Sequence, residues 1–117
     1  MEPKAAIAAL SALAHGGRLS VFRMLMQAGA EGISAGEIAR QLGVPTNTLS
    51  ANLNILAHAG LIENRREGRS IIYSARYIQM TELLDFLIQD CCSGQPEICA
   101  PLADVVLRSR CLPQGHA

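Results

Sequence analysis

The sequence predicts a mainly α fold that carries one small β-hairpin and assembles as a homodimer. Three observations lead there. Half of the 117 residues are apolar, yet there are only two Tyr, two Phe and no Trp. The core must therefore come from Leu, Ile, Ala, Val and Met, a mix that favours helix. Apolar residues recur at helical spacing in about five places, and the stretch 61–75 reads instead as two short strands around a glycine. A chain of this length holds one domain's core, and a core so small is often completed by a second copy.

Pro3 opens helix 1, over about 3–14, with Ile7, Leu10 and Leu13 recurring beside Ala6 and Ala14. His15-Gly16-Gly17 breaks it. Helix 2, about 18–28, carries Leu19, Phe22, Leu25 and Met26 on one face, and Gly29 and Gly32 close it. Ser34 followed by Glu37 forms a capping box for helix 3, about 35–42, which turns Ile38, Ala39 and Leu42 inward. Gly43 ends that helix and Val44-Pro45 makes the turn. Thr46 caps helix 4, which runs to about 59 with the stripe Leu49, Leu53, Leu56. Its opposite face carries Asn47, Ser50, Ala51, Asn54 and His58. A merely solvated face would hold Lys and Glu, and this one holds small hydrogen-bonding groups. Gly60 terminates helix 4, and strands over 61–66 and 70–75 flank Glu67-Gly68-Arg69. Helix 5, about 77–91, has the stripe Tyr77, Met80, Leu84, Leu87, Cys91. Its further apolar residues Leu83, Phe86 and Ile88 are a surplus assigned to a dimer face shared with helix 1. Residues 93–101 read as a loop and 102–110 as a short helix.

The formal net charge is zero, so bulk charge gives no signal for nucleic acid. Its distribution does. Residues 61–76 set Arg65, Arg66, Arg69 and Arg76 against Glu63 and Glu67, whereas from Tyr77 onward five acids face only Arg108 and Arg110. A basic patch and an acidic tail cancel, and DNA binding would rest on the patch. The run after Lys4 has the look of a signal peptide, but its helical spacing and Glu2 favour an amphipathic helix. No other run approaches the ~20 apolar residues of a membrane span. The expected compartment is the reducing cytoplasm, where clustered cysteines serve metals or redox chemistry more than structural disulfides.

Helix 3, a tight turn and helix 4 make a helix-turn-helix, with the hairpin as its wing. The second helix of such a pair enters the major groove, where Asn, Ser and Thr can reach base edges. Thr46, Asn47, Thr48, Ser50 and Asn54 are the candidates for bases, and Arg65, Arg66 and Arg69 for phosphates or the minor groove. The run S-A-G-E-I-A-R-Q-L-G-V-P-T-N-T-L-S-A-N-L-N-I-L-A-H-A-G-L-I, followed by R-R-E-G-R-S-I-I-Y-S-A, resembles the ArsR family of winged-helix metalloregulatory repressors. The likeness covers residues from about 5 to 90. It implies a homodimer, here taken to pair through the surplus apolar faces of helices 1 and 5, that sits on a palindromic double-stranded operator and leaves it when an inducer binds. Many members carry His after the helix-4 serine; Ala51 stands there in this chain, so one DNA contact of the family is missing.

The cysteines carry the inducer question. Residues 90–99 read D-C-C-S-G-Q-P-E-I-C and hold three of the four thiols. The family's founding arsenic sensors have a Cys-Val-Cys box before the recognition helix, and the matching S-A-G-E-I-A has no cysteine. Its zinc sensors use Asp and His on the last helix, where this chain offers Asp85 and Asp90 but no His. Cys91, Cys92 and Cys99 remain. Three thiols without an imidazole suit a soft ion, and As(III) or Sb(III) takes three thiolates in a pyramid, whereas zinc wants a fourth ligand. Cys111 or His116 could supply one, and Cys111 is otherwise incidental. Neighbours on a helix diverge by about 100°, so convergence of Cys91 and Cys92 needs helix 5 to end, which Gly94 and Pro96 permit. A subset of the family resembles this arrangement and serves arsenite. The other readings are a thiol redox switch and a sensor of Zn, Cd or Cu(I). A thiol-relay enzyme finds no anion-cradling loop or placed base, so no catalysis is expected. The expected organisation is a DNA-binding and dimerisation domain over 1–92, with a tail over 93–117 that completes the inducer site.

Overall fold

The computed structural model describes residues 1–89 and 96–107. The chain divides into two units, Met1–Leu84 and Asp85–Ala117, and α5 crosses the boundary between them. Its elements are α1 (Pro3–Leu13), α2 (Gly16–Ala28), a 3-10 turn (Gly29–Glu31), β1 (Ile33–Ser34), α3 (Ala35–Leu42), α4 (Thr46–His58), β2 (Ile62–Glu67), β3 (Ser70–Ala75), α5 (Tyr77–Ile88) and α6 (Pro96–Leu107). The expected helical frame and hairpin are present, with one more strand than the sequence pattern foresees. No single helix among the described residues is long and apolar enough to cross a membrane.

α1 and α2 meet at 101° across His15. That residue does more than break a helix: it caps the next one. Its Nδ1 accepts from the backbone N–H of Gly17 at 3.1 Å and of Arg18 at 3.3 Å, which fixes the imidazole proton on Nε2. With those donors satisfied, α2 begins at Gly16, two residues earlier than the glycine pair suggests. Arg18 Nε reaches back to the carbonyl of Ala12 at 2.7 Å and so ties off the end of α1. α1 packs on α2 and α4 by its alanines: Ala6, Ala9 and Ala12 are buried, because small side chains let helix axes approach. Ile7 and Leu10 point outward, 66% and 42% exposed. Ile7 and Leu10 thus lie on the outer face of α1. Leu19 on α2 is likewise exposed, and Val21 takes its place beside Phe22 and Leu25.

The core of the first unit is Leu25, Ile38, Leu49, Leu53, Leu56 and Leu61, each at most 2% exposed. Removing one such leucine side chain from a packed core costs roughly 2–5 kcal/mol. The hairpin pairs Glu67 with Ser70, so its turn is the two residues Gly68-Arg69 and Glu67 belongs to the strand. β1 adds a third strand against β3, with Ile33 opposite Tyr73 and Ser34 opposite Ile72. The order is β1-β3-β2, all antiparallel. Gly32 makes this third strand possible. Its φ is +73°, and a Cβ there would lie 2.4 Å from the Tyr73 carbonyl oxygen.

In α5 the buried residue is Leu83. The expected inward stripe is largely on the surface: Tyr77, Leu84 and Leu87 are 38%, 46% and 49% exposed. α5 is described to Ile88, and the expected stripe position Cys91 lies outside the described residues. α6 corrects the expected loop over 93–101. It starts at Pro96, where the missing N–H would be unpaired in any case, and continues through Pro101. Cys99 is thus a residue of a helix.

Two glycine substitutions separate crowding from backbone freedom. Gly32→Ala is expected to lower the unfolding free energy by more than about 2 kcal/mol, from left-handed strain plus the Tyr73 contact. Gly36→Ala, inside α3 with no atom within 4 Å of the added carbon, is expected to raise it by about 0.5–1 kcal/mol. Urea unfolding followed by circular dichroism reads both.

Candidate nucleic-acid interface

The helix-turn-helix is fixed by its ends. Ser34 Oγ accepts from Glu37 N–H at 3.2 Å and starts α3. The other half of the expected capping box is not made. The Glu37 carboxylate instead accepts from Arg40 and from Gln41 Nε2. Those two hydrogen bonds, Arg40's first, hold the Glu37 carboxyl down to about 2, so it stays ionised over any ordinary pH range and Arg40 stays paired. Gly43 closes α3 in the left-handed region, and the N–H groups of Gly43 and Val44 both return to the Ala39 carbonyl. Pro45, not Thr46, occupies the cap position of α4, and no side chain caps it.

α4 buries Leu49, Leu53 and Leu56 and exposes Thr46, Asn47, Thr48, Ser50, Ala51 and Asn54. The five expected base-reading residues thus share the outer side of one helix. Asn47 Oδ1 accepts from Thr48 N–H at 2.9 Å, which leaves its amide donors outward. The side chains of Thr46, Thr48, Ser50 and Asn54 have no partner among the described residues. His58 bonds the Asn54 carbonyl at 3.0 Å through Nδ1. An uncharged, unpaired row of donors and acceptors is what reading base edges requires.

The three wing arginines divide. Arg65 is committed within the fold: Nε donates to Glu67 at 2.7 Å, and its terminal nitrogens donate to the carbonyls of Glu31 at 2.8 Å and Ala30 at 3.4 Å. It clamps the wing to the turn after α2. Arg66 and Arg69 are exposed and have no partner among the described residues. Arg69 stands at the two-residue tip and shares a cleft of ≈ 310 Å³ with Ser34, Ala35 and Gly36. The wing tip therefore borders the first turn of α3. Arg76 pairs with Glu63 at 3.8 Å.

The candidate thiols fall differently. Cys91 and Cys92 lie outside the described residues, and Cys99 is described as a backbone position of α6. Sequence reasoning missed the ties at the start of α5: Tyr77 Oη donates to the Met26 carbonyl at 2.9 Å and Gln79 Nε2 to the Ala59 carbonyl at 3.2 Å. Neither residue stands in a recognisable motif, and each partner is a backbone carbonyl that no sequence pattern marks.

A sequence profile described as a helix-turn-helix domain matches residues 13–65. The chain is 37% identical over 71 residues to the HTH-type transcriptional regulator YgaV of Escherichia coli, covering 61% of this chain and 70% of that protein. It is 31% identical over 89 residues to the biofilm growth-associated repressor of Agrobacterium fabrum, covering 76% and 74%. Among solved structures it resembles the homodimeric winged helix-turn-helix domain of Mb0332 from Mycobacterium bovis, described as a possible ArsR-family transcriptional regulator. That match has a TM-score of 0.59 and 31% identity over 74% of this chain and 80% of that one. Sequence likeness, matched fold and an outward-facing second helix agree: the chain belongs to the ArsR family of winged helix-turn-helix transcriptional regulators.

Proposed function

We propose that this regulator is an arsenite-responsive repressor. Its homodimer holds double-stranded operator DNA through Thr46, Asn47, Thr48, Ser50 and Asn54 of α4 and through Arg66 and Arg69 of the wing. It releases the DNA when As(III), or Sb(III), binds the thiolates of Cys91, Cys92 and Cys99. The observation that carries the inducer is the donor set itself: three thiols within nine positions, no imidazole among them, past the end of α5. Such a set fits a soft three-coordinate ion better than zinc. No cysteine stands on α3 or α4, so the signal has to travel from the chain's later part to α4.

Dimerisation is supported by the outer faces of two helices. Ile7 and Leu10 of α1 and Ile78 and Leu84 of α5 are each at least 42% exposed, an apolar excess that a monomer has no use for. The Mycobacterium bovis relative is itself homodimeric. A dimer presents two copies of α4 to successive major grooves about 34 Å apart. Inducer binding has to disfavour that spacing. Couplings of this kind are typically about 1–3 kcal/mol, and a near-complete switch needs about 5.5 kcal/mol.

Three measurements test this reading. Arsenite is expected to release a duplex selected by the wild-type protein from a random library, and Cys92→Ser and Cys99→Ser are each expected to abolish that release. Normal release by both variants sinks the inducer site. Release by peroxide but not arsenite would indicate a redox switch instead, and stoichiometric zinc with loss of DNA a divalent sensor. Arg66→Ala and Arg69→Ala should each flatten the slope of log affinity against log salt by about one, while Arg65→Ala, whose donors are already used, should cost stability and leave the slope nearly intact. Ile7→Glu should shift sedimentation toward the monomer and weaken DNA binding at nanomolar protein; an unchanged dimer removes α1 from the interface.

A further inference from the structure

The C-terminus of a helix leaves its last carbonyls without partners, and α4 disposes of most of them itself. Ala59 N–H returns to the Ile55 carbonyl at 3.1 Å, Gly60 N–H to Ala57 at 3.0 Å and Leu61 N–H to Leu56 at 3.1 Å. The last two are the paired bonds of a Schellman turn, with Gly60 at φ +78° and the buried Leu56 and Leu61 as its apolar contact. The Ala59 carbonyl is not used by this turn. It is taken by α5, through Gln79 Nε2 at 3.2 Å in a partly buried bond. The same carboxamide lies over Gly60: a Cβ there would meet Gln79 Nε2 at 3.0 Å and Cδ at 3.3 Å. Glycine at residue 60 thus serves two ends, the left-handed turn and the seat for Gln79.

We propose that Gln79 is a positioning residue for DNA reading, which fixes the angle of α4 by holding the far end of that helix to α5. It touches no DNA. Its neighbours in the chain brace the same junction, since Arg76 N–H donates to the Leu61 carbonyl at 2.9 Å and Tyr77 Oη to Met26. Gln79 is the only one of the three that grips α4. Asn47 lies about 18 Å along the helix from Ala59 at 1.5 Å per residue. A tilt of about 5° at the anchor moves it by about 1.5 Å, far more than the 2.7–3.2 Å window of a base-edge hydrogen bond allows. Phosphate contacts through long arginine side chains tolerate such a shift. The loss should therefore fall on specific binding.

This inference rests on the DNA-contacting half of the function proposed above and not on its inducer. Two variants test it. Gln79→Met keeps the stem over Gly60 and removes the donor; Gln79→Glu keeps the shape and puts an oxygen against the carbonyl. Each is measured on the selected duplex, on an unrelated duplex and by thermal unfolding, beside Asn54→Ala and Arg69→Ala. The expected result is a loss of about 3- to 10-fold on the selected duplex, the worth of one misaligned base-edge hydrogen bond, with unrelated-duplex affinity within error of wild type and a thermal midpoint lowered by a few degrees by the lost Gln79–Ala59 bond. Wild-type affinity in both Gln79 variants, while Asn54→Ala weakens binding, overturns the inference alone. An equal loss of affinity for both duplexes makes Gln79 a merely structural residue and also overturns it. Unchanged binding in both Asn54→Ala and Arg69→Ala removes the DNA-contacting surface itself, and the inference with it.

Discussion

The turn from Leu56 to Leu61 is the joint on which the DNA-facing side of this protein depends. Within six residues the chain leaves a helix, passes through a left-handed glycine and enters a strand, and both leucines at its ends are fully buried. The burial of the pair is nondirectional, but the two backbone bonds across the turn are not. Together they set the exit angle of the strand from the helix. The wing and α4 are consequently one rigid piece, and Arg66 and Arg69 are carried at a fixed offset from Asn47 and Asn54. Arg65 adds a second brace by holding β2 to the turn after α2.

Charge follows the same economy. The chain has no net charge, and its recognition helix offers no cation at all along the exposed side from Thr46 to Asn54. Of the arginines in the helix-turn-helix and wing, Arg40 is held by Glu37, Arg65 by three acceptors and Arg76 by Glu63. Under the proposed function, few phosphate contacts would mean little counterion release, and discrimination would rest on the polar row of α4. A regulator of this kind depends on the alignment of that row more than a strongly basic one would.

Much of this was legible in the sequence, and the rest was illegible for definite reasons. α3 and α4 follow from Ser34, Gly43, Gly60 and the 3–4 spacing of leucines, because caps and stripes are local signals. β1 was missed since two residues have no periodicity, and its existence depends on Gly32 meeting Tyr73, some forty positions away. The face of α5 was misassigned, since Leu83, counted with the surplus, is the buried residue while Leu84 and Leu87 of the stripe are exposed. In α1 the helices approach too closely for Ile7, and alanine takes the core. The start of α2 was misplaced because a histidine side chain, not a sequence break, governs it. The role of Arg65 was invisible, since an arginine on a wing looks the same whether it faces a phosphate or two carbonyls. Cys91 and Cys92 lie outside the described residues, so the inducer site rests on the chemistry of the thiols.

Pro101 gives α6 an uneven mechanical character. A proline within a helix removes one backbone donor and crowds the carbonyl four residues back, here that of Glu97. Pro96 has no donor either, and the first turn of any helix keeps several N–H groups unpaired. Between the two prolines few N–H groups can donate, so the segment that contains Cys99 is held mainly through its carbonyls, which accept from Leu102, Ala103 and Asp104 in the regular helical pattern. The remainder, from Leu102 onward, has a full ladder. α6 therefore has a soft leading turn on a firm body. Pulling Cys99 out of the helix breaks the bond its carbonyl accepts from Ala103 and that of the Ala100 N–H, on the order of 1 kcal/mol each, and the helix beyond them need not melt with it.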